Sequence, residues 1–271
     1  NLNTFIGNSA GAVVTSGANN TFVGSSAGAA LNTGSDSVAI GFGAADASTT
    51  MGRFVAIGYG AMGTGVGTTA TSYNIAIGYD SLKAITSGNN NIAIGVDANK
   101  GADGESNNLA IGSTALGSTS INGAEYNVAV GNNTLDAITS GDGNTAIGNE
   151  ALTDCTSGAG NTALGAVAGD NLTTGGQNLF LGQDTKVSTG AGSYQFVIGH
   201  NVTGAGNSTT TIGYDTTEIA TNHGSASWAA VSDERYKKDI TDSTAGLAFI
   251  DDLRPVTFKF KQKNELATDI Y

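Results

Sequence analysis

Along most of the chain an aliphatic residue followed by glycine recurs, set in a nearly constant phrase: Asn74 to Leu82 reads NIAIGYDSL, and Asn91 to Asn99 reads NIAIGVDAN 17 residues later. The glycines that close the phrase are Gly7, Gly24, Gly41, Gly58, Gly78, Gly95, Gly112, Gly131, Gly148, Gly165, Gly182, Gly199 and Gly213. Their intervals are 17, 17, 17, 20, 17, 17, 19, 17, 17, 17, 17 and 14 residues, which makes thirteen copies. A period near 17 is short for a helical repeat and long for a hexapeptide rung. It suits a parallel β-solenoid whose coil holds two short strands and two turns.

Each column of the repeat has a physical reading. The residue before the glycine is always aliphatic, and the residue two places earlier is usually Val, Ile, Leu or Thr. These two share one strand face by the period-2 rule. Between them stands Ala in eight central copies (Ala39, Ala56, Ala76, Ala93, Ala110, Ala129, Ala146 and Ala163), pointing the other way. The branched column is expected to fill the coil interior, and the alanine column to mark the close approach of another chain. The glycine is expected at positive φ, where a side chain would obstruct the turn. A short second strand is expected after it, with Ala, Ser or Thr in most copies at the third position. Four residues before the glycine, Asn occurs in nine of the thirteen copies, which stacking would turn into an amide ladder at the bend. Coils about 4.8 Å apart would make thirteen copies a rod of roughly 60 Å.

Composition supports a repeat architecture over an ordinary domain: 41 glycines, one proline and 13% charged residues in 271. Disorder is disfavoured because Gly, Ser, Thr and Asn alternate with regularly placed aliphatics. The net charge is −12, and residues 1–231 carry −11 of it, from four basic and fifteen acidic residues. Such a surface repels nucleic-acid phosphates. No apolar stretch is long enough to cross a membrane, so the chain is not expected to be membrane-embedded. Cys155 is the one cysteine, so no intrachain disulfide frame exists, which fits assembly in a reducing cytosol.

The NIAIG rungs, and SVAIG from Ser37 to Gly41, resemble the head repeats of YadA-like trimeric adhesins. The likeness covers about residues 1–214 and implies a left-handed parallel β-roll associating as a homotrimer. Similar rungs occur in bacterial adhesins and in phage fibres.

After Gly213 the rhythm fails. Only one glycine, Gly246, lies beyond residue 231, whereas seven of the eleven basic residues do. Residues 215–231 are expected to be a linker and 232–271 a different domain, with an amphipathic helix near Ser243 to Leu253 and a strand over PVTFKFK. The stretch SDERYKKDI from Ser232 to Ile240 strongly resembles the start of the intramolecular chaperone domain of phage tail fibres and tailspikes, the S74 peptidase family. LRPVTFKFK, from Leu253 to Lys261, matches the helix-then-strand that follows there. The resemblance implies that residues 232–271 are the N-terminal part of a small α/β chaperone. In that family the domain trimerises, sets the register of three fibre chains and cuts itself off. Carried over, Ser232 would be the nucleophile, Lys237 its general base, and Val231–Ser232 the broken bond. A serine hydroxyl needs an adjacent base, and a partly desolvated lysine can be neutral enough to serve. The plainer alternative is a charged turn with Ser232 capping a helix.

The function implied is that of a virion tail-fibre protein, assembled in the host cytoplasm, with other phage tail proteins and a host cell-surface glycan or protein receptor as partners. Receptor contact is expected from the longer turns at Thr64 to Tyr73 and Ser118 to Tyr126. Alternatives are the head of a bacterial trimeric adhesin and the fibre portion of a capsule-degrading tailspike. No substrate-directed activity is read here, because no coil clusters carboxylates as a hydrolase would. GYGAMG, from Gly58 to Gly63, fits a dinucleotide-loop pattern, but no helix of ten residues follows and the repeat explains it. Asp80, Asp97, Glu150, Asp184 and Asp215, each two places after a repeat glycine, read as a solvated turn column that keeps rods apart. His200 and His223 lack companion ligands, so neither a metal nor a cofactor is expected. The tyrosines (Tyr59, Tyr73, Tyr79, Tyr126 and Tyr214) read as scattered surface residues.

Overall fold

In a computed structural model, the structure describes residues 2–47, 49–64, 72–118, 121–225 and 229–230. The chain divides into two units between Val231 and Ser232, and all described residues belong to the first. Every described element is a strand, and all belong to one fifteen-stranded sheet in chain order. Eleven strands have three residues each: β1 (Thr4–Ile6), β2 (Thr21–Val23), β3 (Val38–Ile40), β4 (Val55–Ile57), β5 (Ile75–Ile77), β6 (Ile92–Ile94), β7 (Leu109–Ile111), β8 (Val128–Val130), β9 (Thr145–Ile147), β10 (Thr162–Leu164) and β11 (Leu179–Leu181). They are followed by β12 (Phe196–His200), β13 (Thr209–Tyr214), β14 (Thr217–Asn222) and β15 (Ala229–Ala230). The strands β1 to β13 are parallel and in register, so that Ala39, Ala56, Ala76, Ala93 and Ala110 are successive partners. This is a parallel β-solenoid of thirteen rungs, or twelve turns, as the period predicts. The stretch expected to be a linker holds two strands: β14 turns back antiparallel on β13, and β15 pairs antiparallel with β14.

The facing of the columns is the reverse of the sequence expectation. All eight alanines of the central column are at most 1% exposed within a single chain, so they line the coil interior. The branched residues on either side point outward, and Ile40, Ile147, Leu164 and Leu181 keep 38, 39, 47 and 41% of their surface. The reason lies across the coil. Four and seven residues after the repeat glycine stand large buried aliphatics, among them Leu82 and Ile85, Leu135 and Ile138, and Leu152 with Cys155. They fill the coil interior together with the alanines, in one buried cluster. Where the strand instead supplies Phe22, the same coil has Gly28 in the leucine column, and a Cβ there would meet the Phe22 ring. In that coil the large and small side chains have exchanged places.

Among the described residues the expected second strand is also absent from the coils of β1 to β11, whose second halves are a succession of turns. Asp80 (φ 51°) and Leu82 (φ 48°) show the pattern, with left-handed backbone two and four places after the glycine. These turns still bond the next coil, as in the Leu82 N–H donating to the Ala98 carbonyl at 3.0 Å. The glycine column itself has φ between 124° and 143° from Gly7 to Gly199. A Cβ on Gly112 would lie against the carbonyl of Gly131, deep inside contact distance. Positive φ and coil stacking therefore both demand glycine there.

The asparagine ladder stands as predicted. Asn144 is fully buried; its Nδ2 donates to the Gly158 carbonyl at 2.8 Å and its Oδ1 accepts the Asn161 N–H at 2.9 Å. The same pair of bonds recurs at Asn91, Asn127 and Asn161, so each amide bridges its own coil to the next.

Candidate functional site

Ser232 and Lys237, the residues expected to carry autocleavage, lie outside the described residues, as do the predicted helix and strand of 232–271. Most of the first expected receptor turn, residues 65–71, and part of the second, 119–120, lie outside them as well. What the structure supplies is the surface of the rod, and three features distinguish it.

The first is an apolar stripe. Because the alternation within each strand puts alanine inside, two branched residues per coil face out, and register stacks them into two adjacent rows along the sheet. Ile6, Ile40, Ile147, Leu164, Leu181, Phe196 and Ile212 are each between 38 and 59% exposed. Stacked at about 4.8 Å per coil, the rows run for roughly 60 Å. Single exposed aliphatics are ordinary on soluble proteins, whereas rows of outward branched residues repeated over so many coils are not.

The second is the acidic turn column, whose residues serve local backbone geometry. Asp80, Asp97, Glu150, Asp184 and Asp215 all have φ between 50° and 57°, a region Asp tolerates better than most residues. Three are paired with lysine: Asp80 with Lys83 at 2.6 Å, Asp97 with Lys100 at 2.8 Å and Asp184 with Lys186 at 2.6 Å. The bond to Asp80 raises the Lys83 ammonium above its usual range, and that to Asp184 does the same for Lys186. Asp80 departs from the expectation of a solvated column, being only 3% exposed. Arg53 faces Asp36 at 3.9 Å and lies over the Tyr73 ring, so all four basic residues of the described rod have acidic neighbours. No group of three His, Cys, Asp or Glu among the described residues could hold a metal ion. Likewise, no helix among them is long and apolar enough to cross a membrane.

The third is an aromatic stack. Two of the tyrosines that read as scattered are brought together with a phenylalanine, one residue after the glycine in three successive coils: Phe42 on Tyr59 at 5.2 Å and Tyr59 on Tyr79 at 5.3 Å between centroids, with planes 13° and 8° apart. The signal was readable as an aromatic in the same column of consecutive copies, once insertions are allowed for. Between Val96 and Gln183 that column holds no ring, and it becomes aromatic again only at His200 and Tyr214. The GYGAMG stretch belongs here: Gly58 is the stacking glycine, Tyr59 the central ring and Gly60 a left-handed turn at φ 62°. At the far end of the rod His200 stacks on Tyr214 at 5.2 Å with Asp215 at 3.5 Å, and His223 lies against Phe196 and Thr210.

No curated protein and no solved structure matches the chain. Residues 232–270 match the S74 peptidase family, described as the chaperone of endosialidase, and the match begins where the first compact unit ends. A solenoid of stacked coils followed by this chaperone sequence fits a phage tail fibre with an S74 C-terminal domain.

Proposed function

We propose that the chain is the rod of a bacteriophage tail fibre, a homotrimer that presents the virion to the host surface. The observation that carries the reading is the outward stripe of branched residues joined to a chaperone sequence at its end. A chain with a two-row apolar face can bury it against two copies of itself by cyclic symmetry, each face meeting the next. Register along such a face is weakly specified, because every coil resembles its neighbour and a slip of one coil preserves most contacts. A folded nucleus at one end that pins three chains in phase answers that problem. Here the correction of facing matters: the interface belongs to the isoleucine and valine rows, and the alanines are already covered by their own coil.

Autocleavage belongs to the same proposal, and the family match over residues 232–270 supports it. Ser232 Oγ attacks the Val231 carbonyl as Lys237 accepts the hydroxyl proton, Lys237 returns that proton to the Ser232 nitrogen as the C–N bond breaks, and water hydrolyses the resulting ester to free the Val231 carboxylate and the Ser232 hydroxyl. Host attachment, and the other tail proteins to which a fibre connects, complete the reading. Native mass measurement is expected to give three chains per particle, and a stable monomer at micromolar concentration would overturn the assembly. Expression of the full coding sequence with Ser232→Ala should leave a longer band on a denaturing gel. Equal mobility of wild type and variant would remove the peptidase assignment.

A further inference from the structure

Glu105 stands seven residues before its repeat glycine, in a column that holds Gly88, Gly141, Gly158 and Gly175 in other coils. Its side chain is buried, at 4% exposure, and its carboxylate is met by backbone donors from two coils. Oε2 accepts the Asp103 and Gly104 N–H groups at 2.9 and 3.2 Å, and Oε1 accepts the Gly123 N–H of the next coil at 2.8 Å. Two of these three nitrogens belong to glycines that follow an Asp or Asn, in Asp103–Gly104 and Asn122–Gly123. Asn-Gly occurs nowhere else in the chain. A main-chain nitrogen so placed can attack the side-chain carbonyl carbon before it, and glycine, lacking Cβ, hinders that attack least. The surroundings leave room for the ring: Asn122 is exposed, and nothing lies within 4 Å of the place a Cβ on Gly123 (φ 92°) would take. The main chain is nevertheless tied on both sides. The Asn122 N–H donates to the Thr139 carbonyl at 2.6 Å, and the Ala124 carbonyl accepts Asn108 Nδ2 at 2.9 Å.

We propose that Asn122–Gly123 is a site of spontaneous deamidation that the folded coil holds latent, with Glu105 as its guard. In the reaction the Gly123 nitrogen gives its proton to a base in solution and bonds to Asn122 Cγ. The Cγ–Nδ2 bond then breaks, and Nδ2 leaves as ammonia with a proton from solvent. Water opens the resulting succinimide at either carbonyl, giving aspartate or isoaspartate. The Glu105 carboxylate opposes the first step twice: it holds the proton that must leave, and its negative charge disfavours the nitrogen anion. Through its other oxygen it holds the Gly104 nitrogen, which would close the same ring on Asp103. Opening of the coil frees the Gly123 nitrogen. Isoaspartate then adds one carbon to the main chain between bonds that run to both neighbouring coils, so an opening that lasts is recorded as a covalent change.

The test incubates the full chain in mildly alkaline buffer and follows Asn122 by peptide mass spectrometry, with enzymatic methylation to score isoaspartate. The native protein should deamidate there about tenfold or more slowly than the same chain in denaturant. Glu105→Ala should speed the native reaction about tenfold or more, as loss of a hydrogen bond to a charged group implies. Glu105→Gln, which keeps the shape without the charge, should speed it by a smaller factor, and decides the matter if Glu105→Ala does not fold. Asp142–Gly143 is the internal control, because its Gly143 N–H is bound to the Glu125 carbonyl at 3.0 Å. Its isomerisation should keep the wild-type rate in both variants. A parallel rise at both sites would mean general loosening of the rod and overturns the guard. So does a native wild-type rate equal to that in denaturant, or a native rate left unchanged by the Glu105 variants. A slower reaction in the variants overturns it as well, since Glu105 would then be the base that drives the step.

Discussion

Replacing Asn144 by alanine removes one rung of the amide ladder, orphans one buried backbone N–H and leaves one buried carbonyl with only the weak Cys155 thiol as donor. The Asn161 N–H loses its acceptor at 2.9 Å and the Gly158 carbonyl its donor at 2.8 Å, both in a region closed to water. The Asn161 side-chain amide loses its bond to Asn144 Oδ1 at 3.0 Å but keeps the one to the Gly175 carbonyl, so the damage is centred on the two backbone groups. Each orphaned buried group costs ~1–3 kcal/mol, which puts the destabilisation at about 4 kcal/mol per chain. Asn149→Ala, in the same coil, serves as the control: its side chain is exposed and reaches only the Asn132 carbonyl at 3.2 Å, so at most ~0.5 kcal/mol is expected. Because each coil contacts only its neighbours, the lost rung should also divide the rod into two blocks that melt separately. Denaturant unfolding followed by far-ultraviolet circular dichroism reads the first effect, and hydrogen exchange at the Asn161 amide reads the second. If Asn144→Ala loses no more stability than Asn149→Ala and the Asn161 amide stays protected, the ladder is not what joins the coils at this bend.

Gly112→Ala places a Cβ against the Gly131 carbonyl at a φ of 134°, so it should lower the midpoint of unfolding by more than the same change at Gly123, beside which nothing lies within 4 Å; equal losses would refute the stacking argument. Ala110→Leu should destabilise the rod by roughly 1–3 kcal/mol through overpacking, while Ile111→Ser should leave coil folding intact and shift the particle toward smaller species on sedimentation. The opposite outcome would restore the alanine column to the interface. Burial pushes the Cys155 thiol from 9.0 up to about 11, so its neutral form is favoured by folding. That stability, roughly 3 kcal/mol, is fully present below pH 9 and is lost as the pH rises through 11. Alkaline unfolding compared with Cys155→Ala isolates it, and a thiol reagent at pH 8 should modify Cys155 only after denaturation.

The repeat period, the thirteen rungs, the glycine column and the amide ladder can all be read from the order of residues, because each rests on a residue type that stacking forces to recur. Glycine is required where one coil's backbone meets the next, and asparagine where a bend leaves both a donor and an acceptor to be satisfied. The ending was legible too, in the collapse of glycine content and the SDERYKKDI phrase. Only the tertiary structure decided which face of each strand is inside. A three-residue strand alternates in the same way whichever side is buried, and the choice depends on what stands opposite. That is the leucine and isoleucine pair of the following turns, hidden from a strand-based reading because left-handed turns break both the period of 2 and the period of 3.6. The aromatic stack belongs to the same class. Phe42, Tyr59 and Tyr79 are 17 and 20 residues apart and become neighbours only because the coils stack at a fixed rise, whatever the length of the loop between them.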